Sequence, residues 1–337
     1  MTTTSLVTGG AGFIGSHVAD ELLALGHEVV VLDDLSGGFE QNVPSGVRLV
    51  RGSCADAAVV ERAFREHRFD YVFHLAAYAA EGLSHFIRRF NYTNNVIGTV
   101  NVVNACVNHD VQCLVFTSSI AVYGPGQVPM VETMRPEPED PYGIAKYTVE
   151  LDLAAARRMF GLNYIVFRLH NVYGERQNTG DRYRNVIGIF MNQILNDQPC
   201  TIFGNGEQTR AFSYISDVAR PIAHAVNNPA AYGEVFNVGA ETPYSVLHLL
   251  AAVQQAMGKT TGVVHLEPRT EVVHAFSDHR KAEQILGYRS SVPLEEGLAR
   301  MAGWVKRIGS RASPAFTGIE VSKHLPSAWR NHLASKE

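Results

Sequence analysis

The chain has 337 residues, 46% of them hydrophobic and 18% charged, a composition typical of a globular protein with one large domain or two unequal ones. The net charge of −4 and the absence of a long Lys/Arg run argue against a nucleic-acid partner. No apolar stretch reaches about 18 residues and the N-terminus lacks a signal-peptide pattern, so we expect no membrane span and a cytoplasmic location.

The first 180 residues alternate short apolar runs with longer amphipathic ones. Strands are predicted at 5–7, 29–32, 47–50, 71–75, 113–117 and 164–168. Helices are predicted at 14–25, 59–66, 91–108 and 141–161. This alternation predicts an α/β fold of the Rossmann type, a doubly wound parallel sheet with helices on both faces.

Beyond residue 180 the pattern becomes irregular. Helices are predicted near 185–196, 217–227, 246–257 and 294–307. We predict a sheet domain over 1–180 with returning segments near 212–245, and a smaller α/β cap mainly over 181–310. A loop-rich tail at 311–337 has no assigned role.

The four cysteines have no spacing typical of a metal site. Cys54, Cys106, Cys113 and Cys200 stand among apolar neighbours or near predicted strand ends. We interpret them as buried thiols in a reducing compartment, and we expect no metal.

A glycine-rich segment, Gly9-x-x-Gly12-x-x-Gly15, directly follows the first predicted strand and opens the first predicted helix. Phe13 and Ile14 stand between its last two glycines. Glycines permit a tight turn and bring backbone N–H groups close to a pyrophosphate, which the helix N-terminus also attracts. The segment therefore predicts a dinucleotide site.

Asp33 ends the second predicted strand, 18 residues after Gly15. A carboxylate at this position can accept hydrogen bonds from ribose hydroxyls and repels a 2′-phosphate. No Arg or Lys stands between Gly15 and Arg48 to bind that phosphate. These features favour NAD over NADP.

Tyr142 and Lys146 stand four residues apart on a predicted helix, which places both side chains on one face. Only about 0.1% of a free tyrosine with a pKa of ~10 is ionised at pH 7. A fixed ammonium and a cationic cofactor lower such a pKa, so Tyr142 is a candidate base. The hydroxyls of Thr117, Ser118 and Ser119 close the fifth strand, at the sheet edge where ligands bind.

Together with His74-Leu75-Ala76-Ala77 and Asn95, these motifs resemble an extended short-chain dehydrogenase/reductase of the NAD-dependent epimerase/dehydratase family. Within that family the chain is similar to the UDP-hexose 4-epimerases, over about residues 4–305. The resemblance implies that the sheet domain holds NAD tightly and that the cap binds a nucleotide sugar. It also implies a homodimer formed through the helices near 91–108 and 142–160.

The resemblance implies a role for each matching position. Catalysis is carried by Ser119, Tyr142 and Lys146. Cofactor contacts come from Gly9, Gly12, Phe13, Ile14, Gly15, Asp33, Asp34, Ser36, Gly38, Ser53, Cys54, Leu75, Ala76, Ala77, Asn95, Thr117, Tyr142 and Lys146. Substrate contacts come from Thr117, Ser118, Ser119, Asn171, Asn185, Val186, Phe203, Arg210, Arg269 and Ala275.

The implied reaction inverts C4 of a UDP-sugar through a transient 4-keto sugar. Related 4,6-dehydratases and decarboxylases carry a glutamate where this chain has Ala121, so a base for C5 chemistry is missing there. Ala275 matches a gatekeeper position at which a small residue admits a bulkier sugar substituent. We rank UDP-glucose/UDP-galactose first and UDP-GlcNAc/UDP-GalNAc second. UDP-glucuronate 4-epimerisation and an NAD(P)-dependent 4-ketoreductase activity are the alternatives.

Overall fold

The computed structural model describes residues 2–126, 128–268 and 272–330. Its strands are β1 (Thr4–Thr8), β2 (Glu28–Asp33), β3 (Arg48–Arg51), β4 (Tyr71–His74), β5 (Cys113–Ser119), β6 (Tyr164–Leu169), β7 (Val172–Tyr173), β8 (Cys200–Phe203), β9 (Thr209–Ala211), β10 (Ser213–Tyr214), β11 (Val235–Val238), β12 (Pro243–Ser245), β13 (Val263–Leu266) and β14 (His274–Ala275). Its helices are α1 (Phe13–Ala24), α2 (Ala57–Glu66), α3 (Glu81–Ser84), α4 (Arg88–Tyr92), α5 (Gly98–Asn108), α6 (Pro141–Phe160), α7 (Val186–Leu195), α8 (Ile215–His224), α9 (Val246–Met257), α10 (Arg280–Leu286), α11 (Leu294–Ile308) and α12 (Ser327–Arg330).

Seven strands form one sheet in the order β11-β6-β5-β4-β1-β2-β3, and all its pairings are parallel. The predicted doubly wound fold is confirmed. The winding direction reverses between β1 and β4, and such a reversal opens a crevice at the carboxyl ends of the strands. β11 lies within the segment near 212–245 that was predicted to return to the sheet domain, although no strand was predicted there, and it extends the sheet beyond β6.

The two faces of the sheet bury different sets of side chains, as expected where successive strand residues point in opposite directions. Val115 and Phe167 pack on one face with α1, α7 and α8. Leu114 and Val166 pack on the other face with α2, α5 and α6. Leu153 of α6 is fully buried there, and burying one leucine stabilises a fold by about 1.5–3 kcal/mol.

The long helix α6 begins and ends as its sequence predicts. The Asp140 carboxylate accepts hydrogen bonds from the backbone N–H groups of Tyr142 and Gly143, both at 2.9 Å. Pro141 occupies the first turn, where its missing N–H costs nothing. Gly161 ends the helix with a φ of 77°, the left-handed conformation that glycine adopts readily. These caps fix where α6 begins and ends, and so fix the positions of the Tyr142 and Lys146 side chains along the helix.

The helix predicted at 91–108 is found as α4, a π turn over Thr93–Ile97, and α5 in direct succession. Asn95 lies inside the π turn, which widens the helix locally. The Asn95 amide binds both backbone groups of Tyr78, at 2.8 and 3.1 Å. The turn therefore anchors the segment that follows β4.

Beyond the main sheet, three small sheets pair β7 with β10, β8 with β13, and β9 with β12 and β14. Among the described residues, no helix is both long and apolar enough to cross a membrane. Within the same residues, no group of three His, Cys, Asp or Glu side chains is placed to hold a metal ion.

Candidate active site

A cleft of about 800 Å³ lies at the carboxyl ends of the sheet strands and is bounded on its other side by residues beyond 170. Its position is where doubly wound sheets bind their ligands. Predicted residues from both halves of the sequence line it, among them Asp33, Tyr142, Asn171 and Phe203. A smaller annexe, lined by Ser119, Asn171, Arg210 and others, adjoins the same residues.

The glycine loop forms one wall of the cleft, and at Gly9 and Gly15 it has no space for a side chain. A Cβ on Gly9 would lie 2.7 Å from the backbone nitrogen of Ala76, and the residue has a φ of 72°. A Cβ on Gly15 would lie 2.2 Å from the carbonyl oxygen of Gly9. Gly12 precedes α1 without a side-chain cap, which leaves the first-turn N–H groups available to an anion. This cradle fits a pyrophosphate.

Asp33 holds the loop that faces the glycine turn. Its carboxylate accepts hydrogen bonds from the backbone N–H groups of Ala11 at 3.0 Å and Leu35 at 2.8 Å. Burial raises the pKa of Asp33, while these two hydrogen bonds oppose the shift. Each oxygen keeps a second lone pair, so the carboxylate can also accept bonds from a ribose.

His74 links two strands to the π turn beneath the cleft. Its Nδ1 lies 2.7 Å from the Thr8 hydroxyl, its register partner across β1 and β4. Its Nε2 lies 2.8 Å from the Thr99 hydroxyl, which donates to the Asn95 carbonyl. Burial lowers the pKa of His74 to about 3, so the imidazole stays neutral. His74 therefore has a structural role, in which its hydrogen bonds hold the ends of β1 and β4 against the helix that begins with the π turn.

Ser119, Tyr142 and Lys146 line the same cleft. The Lys146 ammonium donates a 2.7 Å hydrogen bond to the Thr117 carbonyl oxygen. It lies 5.8 Å from the centre of the Tyr142 ring and 4.7 Å from that of Phe116. The hydroxyl of Ser119 accepts a bond from the Ala121 N–H at 3.2 Å.

The electrostatics of the pair differ from expectation. Burial raises the pKa of the Tyr142 phenol, and the Ser119 hydroxyl opposes that shift. Burial also lowers the pKa of Lys146 to about 7, although the nearby Glu150 carboxylate opposes it. Desolvation therefore favours the protonated phenol, and the nearby carboxylates of Glu81 and Asp140 act in the same direction.

Ser118 lines the cleft, but its hydroxyl is committed elsewhere. It donates a 2.5 Å bond to the Glu150 carboxylate, which Arg168 binds with two donors at 3.1 and 2.6 Å. Ser118 and Arg168 are register partners on β5 and β6 and share the α6 face of the sheet. Thr117 and Ser119 point to the opposite face. The geometry gives Ser118 a supporting position under Lys146, where a substrate contact had been expected.

The remaining predictions mostly fall on the cleft wall. Cofactor positions that line it are Gly9, Gly12, Phe13, Ile14, Gly15, Asp33, Asp34, Ser36, Gly38, Ser53, Cys54, Leu75, Ala76, Ala77, Thr117, Tyr142 and Lys146. Asn95 is not among the lining residues, because its amide is bound to Tyr78 and Asn91. Ala275 lines the annexe, and Arg269 lies outside the described residues.

The substrate half of the cleft is built from loops with unusual backbone. Asn171 has a φ of 44° and donates from its amide to the Ala211 carbonyl at 3.1 Å. Asn185 has a φ of 62° and precedes α7 without a side-chain cap. The backbone N–H groups at the start of α7 therefore face the cleft without a capping side chain. The Arg210 guanidinium donates to the carbonyls of Thr209 and Val273, both at 2.9 Å, and to that of Val272.

Sequence reasoning missed several lining residues. Tyr78, Glu81 and His85 follow β4 directly, and Arg184 immediately precedes Asn185. The Arg184 guanidinium lies 4.9 Å from the centre of the Tyr78 ring and donates to Asp181 at 2.7 Å. The position of Tyr78 after a strand end was an available signal. Nothing local to the sequence marks Arg184.

Comparison with known proteins places this architecture in a family. The model of the NAD dependent epimerase/dehydratase family matches residues 5–239. A putative UDP-glucose 4-epimerase of Methanocaldococcus jannaschii is 35% identical over 305 residues, covering 89% of this chain and 98% of that protein.

Solved structures agree. The UDP-glucose 4-epimerase of Thermotoga maritima, solved with UDP-glucose, is 36% identical with a TM-score of 0.87, covering 91% of this chain and 99% of its own. The Thermus thermophilus UDP-glucose 4-epimerase, solved with NAD, is 34% identical with a TM-score of 0.84. The match covers 90% of this chain and 99% of that one. The chain belongs to the NAD dependent epimerase/dehydratase family.

Proposed function

We propose that the protein is an NAD-dependent epimerase that inverts C4 of a UDP-hexose, with UDP-glucose and UDP-galactose as the principal pair. The observation that carries the proposal is the meeting of Ser119, Tyr142 and Lys146 in one cleft beside Ala121. The first three residues handle one hydroxyl, and Ala121 offers no second base. The relatives that act on UDP-glucose support the same reading.

In this proposal Tyr142 takes the proton of the 4-hydroxyl and later returns a proton to the 4-keto oxygen. Ser119 binds the same oxygen, and Lys146, fixed by the Thr117 carbonyl, holds a positive charge beside the phenol. A bound NAD would supply an acceptor and donor for the C4 hydride, together with a positive charge that favours the tyrosinate. The glycine cradle and Asp33 hold it for every turnover.

The identity of the residue at position 121 supports a restriction of the chemistry to C4. Removal of a C5 proton requires a base on that side of the sugar. Ala121 lines both the cleft and the annexe, and its methyl group cannot accept a proton. A dehydratase or decarboxylase reaction therefore has no support at this position.

The diphosphate and the uracil are assigned to the cap half. The bare start of α7 at Asn185 and Val186 offers backbone N–H groups to phosphate oxygens. Arg210, and Arg269 by resemblance, supply the guanidinium groups that suit an anion. Phe203 supplies an apolar face for the uracil.

A second substrate pair, UDP-GlcNAc and UDP-GalNAc, is favoured by one observation. Ala275 is buried against Ile120 and Met130 in the annexe, and its small side chain leaves space beside the sugar site. An N-acetyl group is larger than the hydroxyl that it replaces. The space beside Ala275 allows this larger group to bind, but the group fills the site more fully. We expect N-acetylated sugars to be epimerised, at a lower rate than UDP-glucose.

We also propose a homodimer in the cytoplasm. Ile97 and Leu151 lie on the two predicted interface helices and are 50% and 55% exposed, so each leaves apolar surface for a second copy. All four cysteines are buried and free, which suits a reducing compartment. Sedimentation of the purified chain tests the dimer directly.

One experiment tests the proposed reaction. Purified protein is incubated with UDP-glucose, UDP-GlcNAc or UDP-glucuronate, with no cofactor added, and the C4 epimer is measured by NMR. We expect UDP-galactose from UDP-glucose at the highest rate. The absence of an epimer from every one of these sugars, in protein shown to contain NAD, would refute the proposal.

A further inference from the structure

The end of the described chain is an ordered segment with contacts on several parts of the cleft. Residues 309–330, here called the strap, follow α11 and carry regular structure only in α12. The family resemblance ends before them. About a tenth of this chain also stays outside the match to the T. maritima enzyme, which is itself 99% covered. The strap is therefore a candidate for a property particular to this chain.

The strap first joins the cap to the cofactor loop. The Asn192 amide on α7 accepts a bond from the Arg311 N–H at 2.8 Å and donates to the Arg311 carbonyl at 3.0 Å. The Arg311 guanidinium lies 3.8 Å from the centre of the Phe39 ring. The N–H of Phe39 donates to the Ala11 carbonyl in the glycine loop at 2.9 Å.

Phe316 then joins two walls of the cleft. Its ring packs on those of Tyr78 and Phe90, with centroid distances of 5.6 and 5.1 Å. Its backbone N–H donates to the Tyr183 hydroxyl at 3.0 Å. Tyr78 and Phe90 belong to the wall that follows β4, whereas Tyr183 belongs to the cap wall, and all three line the cleft.

The last part of the strap repeats this bridge. The Glu320 carboxylate accepts bonds from the backbone N–H groups of Arg89 at 2.7 Å and Phe90 at 2.9 Å. Trp329 packs against Phe86 of the first wall and Tyr183 of the cap wall, at 6.1 and 5.2 Å between ring centroids. Only 6% of Trp329 is exposed.

We propose that the strap clasps the wall at 78–92 to the cap wall at 183–185 and so slows the release of bound NAD. A ligand between the walls leaves when they separate, and separation has to break the contacts by which Phe316 and Trp329 join the walls, on a strap that Glu320 binds to the first wall. Release steps in many enzymes are set by such opening. An enzyme that regenerates its cofactor in every turnover gains from this retention. The residues of the strap are positioning residues, because they contact the walls of the cleft and do not contact the reacting groups.

The test measures NAD release from the full-length holoenzyme with no UDP-sugar present. Protein loaded with radiolabelled NAD is mixed with excess unlabelled NAD, and bound label is followed by filtration. Phe316→Ala, Glu320→Gln and Trp329→Ala are compared with Val321→Ala, whose side chain is 38% exposed on the same segment. We expect release to quicken about tenfold for Phe316→Ala and Trp329→Ala, and less for Glu320→Gln.

Val321→Ala is expected to release NAD at the rate of the unchanged protein. Circular dichroism melting identifies any variant that fails to fold. If Trp329→Ala fails to fold, the release rates of Phe316→Ala and Glu320→Gln test the proposal. Unchanged release from folded Phe316→Ala and Glu320→Gln would overturn the strap proposal. Because no sugar is present, that result is independent of whether the proposed epimerisation is correct.

Discussion

The sheet half of the cleft is shaped by its backbone, whereas the cap half is shaped largely by its side chains. In the sheet half, Gly9 and Gly15 leave no space for a Cβ, and Asp33 joins the glycine loop to the loop after β2 by accepting from the N–H groups of Ala11 and Leu35. In the cap half, the side chains of Phe203 on β8 and Arg210 on β9 line the cleft. Backbone sterics tolerate almost no substitution, whereas side chains that line a cleft can change, and with them the substrate.

This difference gives a rule for reading the site. A change in the sheet half should remove the cofactor and every activity with it. A change in the cap half should alter affinity for the sugar nucleotide and leave the cofactor in place. The proposed catalytic hydroxyls of Ser119 and Tyr142 lie where the two halves meet, and their loss should lower turnover and leave bound NAD in place.

The largest effect is expected at the junction, for Tyr142→Phe. The ring and its packing are kept and only the proton acceptor is lost, so turnover of UDP-glucose should fall about 1,000-fold while bound NAD is unchanged. Tyr147→Phe on the same helix is the matched control, because Tyr147 is not among the residues lining the cleft. Turnover above a tenth of the original rate in Tyr142→Phe would remove this tyrosine from the role of base.

The next largest effect is expected in the sheet half, for Gly15→Ala. The new Cβ would meet the Gly9 carbonyl at 2.2 Å, so the glycine loop has to move. We expect the NAD that copurifies with the protein to fall about tenfold or more, measured by absorbance after denaturation. Gly303→Ala in α11 has only the end of the Arg307 side chain within 4 Å and should keep its NAD. Equal NAD in both variants would contradict the steric account.

In the cap half, Arg210→Ala should weaken substrate binding. Loss of a charged hydrogen bond to a diphosphate costs about 1.5–3 kcal/mol, so the KM for UDP-glucose should rise about 10- to 100-fold. NAD content should stay constant, and the exposed Arg220→Ala should change neither quantity. A drop in melting temperature without a change in KM would instead assign Arg210 to packing against Val272 and Val273.

The smallest effect concerns stability. Burial lowers the pKa of Lys146 to about 7 from 10.5, so between these pH values the folded state binds fewer protons than the unfolded state. The unfavourable contribution of Lys146 is therefore full below pH 7 and declines as pH rises. Lys146→Met should melt about 2 °C or more above the unchanged protein at pH 6, with the gap narrowing by pH 9. A gap that does not vary with pH would contradict the shift.

The same contrast between the halves explains how far the sequence could lead. The sheet, its helices and the glycine loop are encoded by local periodicity and by fixed spacings, and they were predicted nearly to the residue. Asp140, Pro141 and Gly161 mark both ends of α6 in the sequence itself. The Ser118 hydroxyl could also have been placed by strand alternation, because it stands one position from Ser119 and Thr117 on β5.

The parts that escaped prediction depend on contacts between distant residues. β11 joins β6 from 66 or more positions away, and no local pattern announces that pairing. Arg184 reaches the cleft because its stacking partner Tyr78 is held by Asn95 in a π turn. The strap packs through Phe316 and Trp329 onto aromatic residues that precede it by more than 130 positions. Spacing along the chain carries no signal for such contacts.

The most direct test of the account is the fate of the hydrogen atoms at C4 and C5. UDP-glucose deuterated at C4 is incubated in ordinary water, and unlabelled UDP-glucose is incubated in D₂O, with both products measured by NMR. The account predicts UDP-galactose that keeps its deuterium at C4 in the first reaction and gains none at C5 in the second. Loss of the C4 label, or solvent deuterium at C5, would contradict the claim that the chemistry begins and ends at C4.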